Sequence, residues 1–214
     1  DDGFRGESSP CCQRICCAGN NLSGKYIFFS TTDRRQAIYQ NALRFRGNKC
    51  GYIVRMRITH EIEITPSSVR LDGKHLPVSE RGEKLLTELY HTYVGDYPKF
   101  YKMDTLCRLG FIAAEILVNA EKDEARAQVS GEDRGVVMAN SHASIKNDTD
   151  YTRTISGEAY YPSPALFVYT LPNIVTGEIA IRHKYTGETA FYILSSPEEL
   201  KPIIESTFAS SSAG

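Results

Sequence analysis

Tyr161-Pro-Ser-Pro-Ala-Leu-Phe-Val-Tyr-Thr170-Leu-Pro-Asn-Ile-Val-Thr-Gly-Glu-Ile-Ala180-Ile-Arg-His-Lys-Tyr-Thr-Gly-Glu-Thr-Ala190-Phe-Tyr-Ile-Leu-Ser-Ser-Pro-Glu-Glu199 is the stretch that decides the fold. Pro162 and Pro164 open it as a loop. Ile174, Val175, Ile179 and Ile181 then give an apolar side to a helix expected over Leu171–His183, with Pro172 in its first turn, where a missing N–H costs nothing. Gly177 falls mid-helix, at a cost of about 1 kcal/mol relative to alanine. It therefore points to tight packing or a close backbone or ligand approach. Gly187 ends a turn, and Ala190, Phe191, Tyr192, Ile193 and Leu194 form an apolar run of strand length. Ser196-Pro197-Glu198-Glu199 reads as a helix start, with Ser at the N-cap, Pro at N1 and Glu at N3. The order is helix, turn, buried strand, helix.

Working outward toward the N-terminus, Gly135-Val136-Val137-Met138-Ala139 is a second apolar strand, followed by Asn140-Ser141-His142-Ala143-Ser144. Leu106, Leu109, Phe111, Ile112, Ile116, Leu117 and Ala120 wrap most of a helix expected over Tyr101–Ala120, with Asp104 at or near its cap. Ser79–Tyr93 is expected as an amphipathic helix, with Ser79 as N-cap and Gly95-Asp96-Tyr97-Pro98 beyond its end. Arg57–Ile64 alternates polar and apolar like a half-buried strand, Val69-Arg70-Leu71 resumes it, and Asp72-Gly73 is a turn signal.

The first 55 residues differ in composition from the rest. They carry nine Lys and Arg against four Asp and Glu, whereas the remainder carries 16 against 22. Cys11, Cys12, Cys16, Cys17 and Cys50 all precede Met56, and only Cys107 follows it. The expectation is an extension over residues 1–55 that packs poorly, with Met56 as a candidate start, and one domain over residues 56–214. Cys12 and Cys16 have the separation of a zinc-ligand pair, but adjacent duplicates are unusual and no second knuckle follows. Reduced thiols are the favoured reading, with no metal and no cofactor expected. A disulfide framework would need an extracellular setting that nothing in the sequence signals.

A net charge of −1 gives no cause to expect a nucleic-acid partner, and no apolar run reaches transmembrane length. A cytoplasmic protein is expected.

Leu171-Pro172-Asn173, Gly177, Ile179-Ala180-Ile181-Arg182 and Gly187-Glu188, followed by the apolar strand, resemble the beta-ketoacyl synthase family of the thiolase fold. Lys102-Met103-Asp104, Arg108-Leu109 and Ala113-Ala114, ahead of the strand at Gly135–Ala139, extend the resemblance to about residues 100–210. It implies an α/β fold, half of a thiolase-like architecture, with a mixed sheet covered by helices. In that family the strand corresponding to Ala190–Leu194 leads to a nucleophilic cysteine at a helix N-terminus; here Ser196 holds that position. Asn140–Ser144 stands where the family has a glycine-rich turn, and two further family histidines belong to a second half that this sequence does not contain.

Whether the chain is an enzyme therefore stays open: it looks like an acyltransferase-family protein without the family's catalytic Cys and His. A serine hydroxyl needs a neighbouring base to attack, and Glu198 and Glu199 oppose an anion beside it. His142 is a candidate base without an identified partner, and Cys107 is expected to be buried and inert. The resemblance implies a non-catalytic partner subunit in fatty-acid or polyketide-type acyl chain synthesis, with acyl carrier protein and a complete ketosynthase as partners. Two alternatives stand beside it: an acyltransferase using Ser196, and a structural interaction module with no acyl ligand. The family also pairs the strand before the nucleophile across a dimer, which here is Ala190–Leu194. A heterodimer is favoured and a homodimer is open.

Overall fold

The computed structural model describes residues 60–121, 130–155 and 161–196, together with 199, 200, 202–204 and 206. The cysteine-rich extension, its five cysteines and the first residues of the strand expected from Arg57 lie outside the described residues.

Three short strands open the described chain: β1 (Ile62–Thr65), β2 (Ser68–Leu71) and β3 (Lys74–Leu76), antiparallel in that order. Ile62 pairs with Leu71 and Ile64 with Val69, so the alternation seen in the sequence puts Ile62, Ile64 and Val69 into the core. Asp72 and Gly73 both have positive φ, as a two-residue type I′ hairpin requires. The Asp72 carboxylate also accepts from the backbone of Glu61 at 2.8 Å and meets His60 Nδ1 at 2.9 Å.

Helix α1 (Glu83–Tyr93) starts four residues later than the sequence suggests. Ser79 is not its N-cap. Instead the Glu88 carboxylate, from inside the helix, reaches back and accepts from Ser79 N, Ser79 Oγ and Glu80 N. Gly82, at φ 59°, makes the bend between loop and helix. Similarly, Tyr101 is not in the central helix. Pro98–Lys102 is a 3-10 turn, and α2 (Thr105–Ala120) follows it, capped by Asp104, whose side chain accepts from Cys107 N at 2.9 Å. Eleven residues of α2 are buried, as its all-round apolar character demands.

The second half contains β4 (Val136–Asn140), α3 (Ile145–Thr154), α4 (Pro164–Val168), α5 (Ile174–His183) and β5 (Thr189–Ile193). β4 and β5 are parallel neighbours, with α5 in the crossover between them. The strands thus fall into two small sheets among the described residues, one antiparallel and one parallel, in place of a single mixed sheet. The class is mixed α/β.

β4 is buried throughout. Val136 and Met138 join the main core with α2 and α5, while Val137 and Ala139 pack on the other face with Leu200 and Ile204. β5 is less covered than its apolar composition suggests, with Thr189 and Ile193 exposed at its two ends. Pro172 lies outside α5, which begins at Ile174 after Asn173.

Two kinds of glycine position these layers. Gly110 on α2 lets α5 and β4 approach: a Cβ there would meet Val175 Cγ2 at 2.5 Å and Met138 Cε at 3.0 Å. Gly187 lets the turn before β5 pass backbone to backbone over the segment before β4; a Cβ would stand 2.5 Å from Arg134 O. Gly177, expected to mark a close approach, has open space where its Cβ would be.

Candidate functional site

The carboxyl ends of β4 and β5 lie side by side, with Asn140 opposite Ile193 in register. Leu194 N donates to Asn140 O at 2.9 Å, so the loops that leave the two strands are tied at their roots. In open α/β sheets this end is where ligands are received, and both candidate residues, His142 and Ser196, come from these loops.

Asn140 builds the first loop. Its side chain is buried, and its Oδ1 accepts from His142 N at 3.1 Å and Ala143 N at 2.7 Å, while Nδ2 donates to Ala143 O at 2.8 Å. Those three bonds hold Ala143 at φ 48°, a conformation that glycine would take without cost. A side-chain clamp does here what glycines do elsewhere. His142 is exposed, with Nδ1 2.6 Å from the Ser141 hydroxyl. The Ser144 hydroxyl, at the start of α3, donates to Thr170 O at 2.5 Å, with Asp148 Oδ1 3.0 Å away, which fixes the loop to the segment before α5.

In the second loop Ser196 N donates to Glu199 Oε1 at 3.0 Å, and Glu199 N donates to Ser196 O at 3.3 Å. The carboxylate returning from N3 to the N-cap amide is half of a capping box. The Ser196 position is thus built into a helix terminus and faces a negative group. Cys107, expected to be buried and inert, is buried on α2, and burial pushes its thiol well above the ordinary range, so it is held as the thiol. Among the described residues no group of three or more His, Cys, Asp and Glu is placed to hold a metal ion, and no helix is long and apolar enough to cross a membrane.

A polar network between α2 and α5 escaped sequence reasoning. Glu115, buried in the apolar core of α2, has His183 Nε2 at 2.8 Å and Arg182 Nε at 3.3 Å. Burial works against its charge, but the His183 and Arg182 contacts together outweigh it and hold its carboxyl below the usual range. Arg182 also stacks over Tyr97, and Tyr97 donates its phenol proton to Glu178 at 2.9 Å. Lys99 completes the network with a 2.6 Å bond to the same carboxylate. Burial and then the Glu178 bond push the Tyr97 phenol up to about 12. One signal was available in the sequence: a carboxylate among Phe111, Ile112, Ile116 and Leu117 must have a cationic partner if the helix is buried. The partners lie more than 60 residues away, on a helix whose facing could not be read.

No family model, no curated protein and no solved structure matches this chain.

Proposed function

We propose that the chain is a ketosynthase-like partner subunit for acyl chain assembly, itself without condensing activity, that works beside a complete ketosynthase and an acyl carrier protein. The resemblance in Lys102–Asp104 and Leu171–Glu188 motivates the reading, and the finer thiolase-like architecture is part of the proposal. The observation that carries the non-catalytic half is the bond from Ser196 N to Glu199 Oε1. A nucleophile at a helix start gains from free amide donors and positive potential. Here a carboxylate takes up one amide and places negative charge beside Ser196. The parallel β4–α5–β5 unit, whose carboxyl ends lead to Ser196, is compatible with the fold half that the resemblance implies.

The test is acyl transfer from a loaded carrier protein, with wild type and Ser196→Ala, in the presence and absence of a ketosynthase. Binding of carrier or ketosynthase without a stable acyl adduct on this chain is the expected result. An adduct lost in Ser196→Ala would establish the acyltransferase reading instead. Failure to bind either partner would favour a structural module with no acyl ligand. Ser196→Cys is expected to give no condensation, because a thiol alone supplies neither a malonyl site nor the histidines. Decarboxylative condensation by the purified variant would overturn the proposal.

A further inference from the structure

We draw no further inference here: the strongest candidate, the outward side of helix α5, where Ile181 is 66% exposed and the space beside Gly177 is open, is a helix face that no described residue covers, and nothing in the structure shows what does.

Discussion

At the scale of single residues, the side chain with most at stake is Glu115. A carboxylate with 4% exposure on a core helix is tolerable only because His183 and Arg182 stand beside it. Removing either side of such a pair leaves a buried charge, so Glu115→Ala should cost about 3 kcal/mol of stability. The pH dependence follows from the direction of its shift. The folded-state pKa lies below the ordinary 4.5, so the native state binds fewer protons than the unfolded chain as pH falls toward that value. Its contribution is fully present above 4.5 and is lost as pH falls through the folded pKa. Glu115→Gln should therefore flatten the acid limb of a stability-against-pH curve, and an unchanged limb would contradict the pairing. Tyr97 gives the opposite limb. With its phenol pushed up to about 12, the native state keeps a proton that the unfolded chain releases above 10. Stability should fall between those values, and Tyr97→Phe should remove that part of the alkaline loss, measured by chemical denaturation across the range.

At the scale of elements, two glycines ten residues apart should respond to alanine with opposite signs. Gly177 sits in α5 with nothing within 4 Å of where a Cβ would be, so Gly177→Ala should stabilise by roughly 0.5–1 kcal/mol through helix propensity alone. Gly187 lies against the carbonyls of Arg134 and Glu132, so Gly187→Ala must push two backbones apart at the start of the β4–β5 pairing. A loss of about 2 kcal/mol or more is expected there. Denaturant midpoints of the two variants compare them directly, and like signs would refute the geometry. The same pair marks how much of the fold could be read. Period and punctuation located α2, β4 and the Asp72-Gly73 hairpin to within a few residues, because burial and turn chemistry are local there. Asp104 and the Ser196–Glu199 cap were legible for the same reason. The role of Gly177 was misread because a helical glycine says nothing about which face it occupies. The starts of α1 and α2 slipped by four residues because Glu88 and the Pro98 turn compete for those segments through contacts that spacing does not reveal. At the candidate site, Ser196 and His142 could be placed on loops, but the Asn140 clamp and the Glu115 network depend on strand register and helix facing.

At the scale of the whole molecule, the reversal of charge balance and the segregation of five of the six cysteines ahead of Met56 set residues 1–55 apart from the rest. Deletion of residues 1–55 should therefore leave a cooperative thermal transition, and its loss would mean that the extension contributes to the core. The remaining question is how the parallel sheet ends. Among the described residues β5 has β4 on one side and no strand on the other, and no proline or charge between Thr189 and Ile193 blunts that edge. A strand edge without proline or charge can accept another strand. The partner reading supplies one, from a complete ketosynthase. The side chains of β5 do not test this equally. Tyr192 packs against Val137, Ala139, Leu200 and Ile204, so Tyr192→Lys would damage the second core and confuse folding with association. Ile193 is 61% exposed and belongs to neither core cluster, so Ile193→Lys should leave the fold intact. It places a charge at the edge that the partner strand must approach. Loss of about 1.4 kcal/mol or more, a tenfold weakening, is expected for binding to a ketosynthase. Sedimentation of the wild type and of Ile193→Lys, each alone and mixed with a candidate ketosynthase, is the test. A wild-type chain that ignores the ketosynthase would remove the partner role.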